Sequence, residues 1–330
     1  MNLIEKLESK LKGKNIRVAF PEGDNPKVLK AVVDIYSHGY ITPFVIGKPE
    51  KIQATAEAEG LSLEGLTLID PETTELLDEF AAKFAEKKPL PIAVIKKLLS
   101  NPNNLGAAML EYDFADTLVS GAVTSTGEVI AAHKLIQRRD PEVESLSAFC
   151  VYDIPHFNGP SGSVLVVCDT EVTIDPTEEE LADMAVMTAR NSAKLLGWEP
   201  KVAMLSFSTA GSASHEKVTK MQNATKLAQE KAPDLKIDGE FQLDTAIIPE
   251  IAATKLKRPS EVAGQANILI FPDLNAGNIC YKTIERIAGA TTNNAVVQGF
   301  RKPICDLSRG CTAQDAANMI VIMASIAANS

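Results

Sequence analysis

Short apolar or β-branched runs alternate along this chain with longer stretches whose apolar positions recur every three to four residues. That alternation predicts βα units and an α/β fold with a largely parallel sheet. Strands are expected at 16–20, 42–46, 66–69, 117–120, 145–152, 163–168, 202–206, 235–237, 267–271, 295–297 and 304–307. Helical periodicity is clearest over 25–37, 177–196, 216–231, 281–288 and 313–328. At the start, Leu3, Ile4, Leu7 and Leu11 stand at helical spacing between charges, which predicts a surface helix and not a signal peptide. The apolar stretch 316–328 contains Asn318 and is shorter than the ~18 residues of a bilayer span, so it predicts a buried helix.

Two strands end alike, at Phe20-Pro21-Glu22 and Phe271-Pro272-Asp273. Proline cannot donate to a ladder and ends a central strand, leaving an acidic residue at the carboxyl edge where α/β sheets take ligands. The turn-rich segment 156–162 predicts a hairpin. Hydroxyl-rich loops follow three other strands. In 206–213, Ser206, Ser208, Thr209, Gly211 and Ser212 precede a helix, so hydroxyls and free backbone N–H groups suit phosphate or another anion. Simple helix capping explains them equally well. The loop 120–127, with Ser125 and Thr126, repeats the pattern. The stretch 275–282 reads as a further loop, in which Asn278 and Tyr281 are candidate hydrogen-bonding groups and Lys282 a charge; packing of Tyr281 against a strand is the ordinary alternative.

The segment 306–315 runs from a strand into the last helix and holds Ser308, Arg309, Cys311, Thr312 and Asp315. Thr312 and Asp315 have the spacing of a capping box. The same residues also suit a ligand site, with a hydroxyl, a fixed cation and a general base. Cys311 has no histidine partner in the pattern and reads as structural.

Composition narrows the function. The chain of 330 residues is 45% hydrophobic and 23% charged, the balance of a folded protein long enough for about two domains. With 43 acidic and 33 basic residues the formal charge is −10, which argues against nucleic-acid binding. Positive charge must be confined to a site, and only eight residues are arginine: Arg17, Arg138, Arg139, Arg190, Arg258, Arg286, Arg301 and Arg309. Five scattered cysteines, with no export signal, fit a reduced, cytoplasmic protein with no membrane partner. Four unpaired histidines and no C-x-x-C leave no expected metal ligands, and the glycine fingerprints of NAD enzymes and P-loop proteins are absent.

Taken together, Phe20-Pro-Glu-Gly, 120–126, 202–213, 238–244, 271–278, Tyr281-Lys282 and 306–311 resemble the phosphate acetyltransferases (phosphotransacetylases) in order and spacing over nearly the whole chain. The resemblance implies reversible reaction of acetyl-CoA with phosphate to give acetyl phosphate and CoA, with coenzyme A as substrate and no permanently bound cofactor. It implies two α/β domains of the isocitrate/isopropylmalate dehydrogenase-like type with the active site in the interdomain cleft, and a homodimer. The first domain is then 1–142 plus 297–330, and 143–296 is inserted into it. By analogy Asp315 is the base, Ser308 orients the thiol or its carbonyl target, and Arg309 holds phosphate. Ser125, Thr126, Ser206, Asn278 and Tyr281 match substrate-binding positions.

The chain departs from the family at three points. Ala131 and Phe84 stand where arginines are usual, and Asn294-Ala295 replaces a Gly-Pro. Losing two cations weakens anion binding unless Lys87, Lys88 or His133 substitutes. A more apolar cleft would admit a longer acyl group, as in phosphate butyryltransferases and propionyl transfer. A weakly catalytic CoA-binding regulator is the alternative of another class.

Overall fold

The computed structural model describes residues 2–141, 143 and 145–329, with backbone alone at 291–294. In chain order the strands are β1 (Ile16–Phe20), β2 (Ile41–Ile46), β3 (Thr67–Ile69), β4 (Thr117–Ser120), β5 (Ser147–Asp153), β6 (Val164–Cys168), β7 (Lys201–Leu205), β8 (Lys236–Phe241), β9 (Ile268–Ile270), β10 (Thr291–Gln298) and β11 (Ile304–Asp306). Every run expected to be a strand is one, with its ends moved by up to a few residues. The chain divides into two compact units, Met1–Asp140 with Phe300–Ser330, and Pro141–Gly299.

In the first unit the strand order is β3-β2-β1-β4-β11, and every pairing is parallel. Parallel strands lie between layers of helices, which is why Val18, Ala19 and Phe20 of β1 are wholly buried. Asn25 caps the helix Pro26–Ser37, with proline at the first turn, where its missing N–H costs nothing. The helix Ala313–Ala327 packs on Pro26–Ser37 and on Leu3–Leu11. Its residues from Ala316 to Ile326 are all buried, so the apolar stretch near the C-terminus is core. No helix is long and apolar enough to cross a membrane among the described residues.

The second unit has the order β10-β5-β6-β9-β7-β8. Here β5 runs antiparallel to β6 and β10, and the other pairings are parallel. The expected hairpin joins β5 to β6: Ile154 donates to the Ser163 carbonyl at 2.9 Å, and Gly159 and Gly162 exchange backbone bonds. The helix Glu178–Leu196 opens with a Thr177–Glu180 capping box, ends at Gly197 and packs on Glu216–Lys231.

One expectation fails here. Residues 275–282 are not a loop, because the helix begins at Leu274 and runs to Ile287. Asp273 starts it, accepting the Ala276 N–H at 3.0 Å. Gly277, a poor helix former, is needed inside it, because a Cβ there would stand 2.0 Å from the Asp169 carbonyl oxygen.

Candidate active site

In the first unit β4 ends at Ser120 and turns at Gly121, whose φ is +104°. A Cβ at Gly121 would stand 2.2 Å from Asp306 Oδ1 and 2.5 Å from Leu307 N, so only glycine lets this turn lie against the end of β11. The Leu307 N–H donates to the Ser120 carbonyl at 2.6 Å, and the Ser120 hydroxyl to Asn103 at 2.8 Å. The next three amides converge on Glu22, from the end of β1. It accepts from Ala122 at 2.7 Å, Val123 at 3.1 Å and Thr124 at 2.7 Å. The acidic residue that follows Pro21 thus fills the amide nest itself, and those N–H groups are not free for an anion. The signal in the sequence was the Pro-Glu strand ending; its partners lie a hundred residues away.

Ser125 and Thr126 open the helix Thr126–Ile136. Ser125 is its N-cap, donating from Oγ to Glu128 at 2.7 Å and accepting the Glu128 N–H at 3.4 Å. The Ser125 hydroxyl and its backbone N–H, which donates to Glu128 Oε2 at 3.1 Å, hold the Glu128 carboxyl below its usual range. Thr126, half-buried, lies beside Asp306.

Asp306 ends β11 and is 2% exposed. Neither of its oxygens has a hydrogen-bond partner among the described residues. Burial pushes the carboxyl up to about 6, Thr126 and Arg309 hold it down, and Glu22 opposes them.

Two residues on, the Ser308 Oγ accepts the Gly310 N–H at 3.3 Å, and Cys311 donates to the Ser308 carbonyl at 2.9 Å. The tight turn presents Arg309 to solvent. Lys27 Nζ approaches the Arg309 carbonyl at 3.5 Å and adds a second cation, which no motif in the sequence marks. The capping box at the start of Ala313–Ala327 forms in full. Asp315 Oδ2 accepts from the Thr312 N–H and hydroxyl, both at 2.8 Å, and the Asp315 N–H donates to Thr312 Oγ1 at 3.1 Å. Asp315 Oδ1 has no partner among the described residues. Cys311 is buried and its thiol is pushed up by desolvation, as a structural cysteine would be.

Charge pairing separates Arg309 from most of the arginines. Arg17, Arg138, Arg258, Arg286 and Arg301 are in ion pairs with Asp116, Glu111, Asp238, Glu285 and Asp113. The Arg309 guanidinium has no ion pair and donates no hydrogen bond among the described residues.

The groups expected to replace the missing family arginines are occupied. Lys87 pairs with buried Glu111 at 2.6 Å, and Lys88 donates to the Leu135 carbonyl at 2.9 Å. His133 is wholly buried, bonded through Nδ1 to Gln137 at 2.8 Å, and desolvation pushes it down to about 4. A neutral imidazole supplies no cation at pH 7. Phe84 is 3% exposed, on the core face that the helix Leu76–Lys87 forms with Leu77, Phe80 and Ala81, so it lines no open wall. Ala131 is exposed. Asn294 lies outside the residues whose side chains are described, and Ala295 is buried in β10.

In the second unit the loop after β7 is also closed by a glutamate. Glu240 accepts from the Ser208 hydroxyl and the Gly211 N–H, both at 2.8 Å. Thr209 and Ala213 donate their amides to Ser212 and Ser208, and Ala210 donates to the Glu240 carbonyl. The amides of Ser208, Thr209 and Ala213 are therefore bonded within the loop, and those of Ala210 and Gly211 to Glu240. Ser206 accepts the Ser208 N–H at 3.2 Å and keeps its own proton without an acceptor among the described residues. Asn278 donates to the Thr170 carbonyl at 3.1 Å. Tyr281 is buried against Tyr152, and Lys282 donates to its oxygen at 3.0 Å, so packing is the use the structure makes of it. Of the eight candidate residues, Ser125, Thr126, Ser308, Arg309 and Asp315 lie in the first unit, and Ser206, Asn278 and Tyr281 in the second.

The comparisons agree with this arrangement of motifs. A family model described as phosphate acetyl/butaryl transferase matches residues 2–324. The chain belongs to that family. It is 38% identical over 328 residues to the phosphate acetyltransferase of Thermoanaerobacterium thermosaccharolyticum, covering 98% of this chain and 99% of that one. It is 40% identical over 326 residues to the phosphate acetyltransferase of Clostridium acetobutylicum, covering 98% and 97%. The crystal structure of a phosphotransacetylase from Streptococcus pyogenes matches with a TM-score of 0.92 at 35% identity, covering 99% of this chain and 98% of that one. The mixed α/β fold of this family member is thus shared over nearly the whole of that solved structure. No group of three or more His, Cys, Asp and Glu residues is placed to hold a metal among the described residues of this acyltransferase.

Proposed function

We propose that the chain transfers an acetyl group reversibly between coenzyme A and inorganic phosphate, with Arg309, Ser308 and Asp315 carrying the chemistry. Likeness to phosphate acetyltransferases along the whole chain supports the reaction. The observation that carries the site is the Arg309 guanidinium, without an ion pair among the described residues, one residue from Ser308 and six from Asp315, in a chain where five of the other seven arginines are ion-paired.

A thiol with a pKa near 8.5 is mostly protonated at neutral pH, so attack on an acyl carbon needs a base at the sulfur. Asp315 Oδ1 is the available acceptor, while Oδ2 anchors the carboxylate to the helix start. In the direction of acetyl-CoA synthesis, Asp315 takes the thiol proton and the sulfur attacks the acetyl carbon of acetyl phosphate. The carbon–oxygen bond to phosphate then breaks, the proton held by Asp315 passes to the leaving group directly or through solvent, and hydrogen phosphate departs held by Arg309. Charge-assisted bonds from a guanidinium to phosphate oxygens strengthen as charge develops on them. Ser308 donates to the carbonyl oxygen or orients the thiol. Thr126 is the remaining first-unit hydroxyl offered to substrate, and the second unit's Ser206 is a substrate-binding candidate on the resemblance alone; Ser125, Asn278 and Tyr281 are committed within the protein. No covalent enzyme intermediate is required, and transfer is direct in a ternary complex.

Burial of Phe84 removes half of the motive for a larger acyl pocket, so acetyl is the expected group. The resemblance further supports a homodimer in the cytoplasm, which light scattering on the purified protein addresses. The test of the function is acetyl phosphate formation, read with acetyl-, propionyl- and butyryl-CoA. Arg309→Ala is expected to lower kcat/KM by about a hundredfold or more. Bound CoA without acyl phosphate at any phosphate concentration would instead favour a regulatory protein.

A further inference from the structure

Asp306 has a place in the first unit that the acyl transfer itself does not use. It ends β11 directly before Leu307, Ser308 and Arg309, and pairs in register with Ser120 of β4. Its carboxylate is buried and neither oxygen has a well-placed hydrogen-bond partner among the described residues; the Thr126 hydroxyl beside it is the one donor that favours its charge, whereas a buried anion is normally paired or fully hydrogen-bonded. The turn beside it is made by a residue without a side chain, since a Cβ on Gly121 would lie 2.2 Å from Oδ1. Room is thus kept for this carboxylate. The charged groups that act on it are Glu22, from the end of β1, and Arg309, from its own segment; Thr126 faces it from the start of its helix. Glu22 accepts hydrogen bonds from three backbone amides. Asp306 receives no backbone amide at its carboxylate among the described residues; the Thr126 hydroxyl and the Arg309 cation are what favour its charged form.

An anion held at Arg309 removes that support and adds like charge nearby. We propose that Asp306 is a positioning residue that takes up one proton from solvent when phosphate or acyl phosphate occupies Arg309, donates the resulting O–H to the Thr126 hydroxyl, and returns the proton when the anion leaves. Protonation relieves repulsion between a buried carboxylate and a multiply charged ligand, and the new bond fixes the helix start against β11. Burial already holds the carboxyl near 6, close enough to neutrality for a bound anion to tip it. The proposal rests on the reading of Arg309 as the anion site.

Sulfate, doubly charged throughout pH 6–8, is the probe, since phosphate itself titrates there. Calorimetry of sulfate binding to the full protein in buffers of different ionisation enthalpy counts protons taken up. The wild type is expected to take up close to one proton per sulfate at pH 7. Its sulfate affinity should fall as pH rises from 6 to 8, by as much as about tenfold per unit. Asp306→Asn, of the same shape and always neutral, should bind sulfate with no proton uptake, with no such slope, and more tightly than wild type at pH 8. A residue that merely supports the fold would weaken binding at every pH. Sulfate binding by the wild type without proton uptake overturns the proposal, and that count needs no variant to fold. An unchanged pH slope in Asp306→Asn overturns it equally. Absent sulfate binding, or unaltered affinity in Arg309→Ala, strikes the Arg309 reading itself and the proposal with it.

Discussion

The loop after β4 in the first unit and the loop after β7 in the second unit share a sequence pattern, each a strand followed by glycine, serine and threonine. Both are closed by a buried glutamate from another strand end, Glu22 in one and Glu240 in the other. They differ in what surrounds the plug. In the second unit the hydroxyls and amides bond to one another, and Thr209 reaches Thr245 at 3.2 Å and Gln242 at 3.4 Å. In the first unit Glu22 uses only amides, and beside it stand Asp306, whose carboxylate has only the Thr126 hydroxyl beside it, and Arg309, without an ion pair among the described residues. A hydroxyl-rich loop is therefore a structural motif that the chain uses twice, and what sets the first-unit copy apart is charge without a partner among the described residues. Burying a carboxylate without hydrogen bonds is costly, and such sites are kept where a ligand completes them.

Several changes would break or sharpen this contrast. The largest effect is expected from Asp315→Asn, which keeps an oxygen for Thr312 but loses the basicity: kcat should fall by about 10²–10⁴ with little change in melting temperature. If turnover falls only in step with stability, Asp315 is a cap and nothing more. Next comes Glu22→Gln, which replaces a carboxylate receiving three N–H bonds with a group that has a single acceptor oxygen. It should cost about 2–3 kcal/mol in urea unfolding and lower kcat/KM about tenfold or more, because the loop leads to Thr126. Glu240→Gln should cost a similar stability, while the phosphate KM stays within about twofold. Equal kinetic losses in the two variants would erase the distinction between the loops.

The smallest effect concerns the helix behind the first loop. His133 binds a proton less readily in the folded protein, at about 4, than in the unfolded chain, at about 6.5. The unfolded state therefore holds more protons between these values, so stability is full above about pH 6.5 and declines as pH falls toward 4. The loss is on the order of 3 kcal/mol at most, and His133→Leu should flatten that part of the profile in urea unfolding at pH 7 and pH 5. A His133 that served as a cation would show the reverse, gaining stability with phosphate at low pH.

The strands were legible because β-branched runs here are punctuated by proline and glycine, and because the same punctuation separates βα units. The last helix was legible because an apolar run broken by one asparagine is too short for a membrane and too long for a strand. The start of the helix Leu274–Ile287 was not, since Asn275, Gly277 and Asn278 are weak helix formers; a close approach to Asp169 outweighs their propensity. Occupation of the two amide nests was hidden for another reason. Glu22 meets Ala122 across a hundred residues, and Glu240 meets Gly211 across twenty-nine, and neither separation leaves a periodic trace. Ser308, Arg309 and Asp315 are singled out in the sequence because a rare arginine stands after a strand and before a helix cap. That Arg309 escapes the pairing seen at Arg17, Arg138, Arg258, Arg286 and Arg301 needed the folded chain. Phe84 shows the converse: a lost cation suggested an apolar wall, and the residue is core.

The central claim is that the unpaired guanidinium of Arg309 makes the first unit's loop catalytic, and chemical rescue tests it most directly. Acetyl phosphate formation by Arg309→Ala is measured as free guanidinium is added over a millimolar range that leaves the protein folded. The account predicts activity low without guanidinium, rising with its concentration and saturating, with no rise for Glu240→Gln. An Arg309→Ala variant with wild-type turnover, or one that guanidinium leaves unchanged, contradicts it.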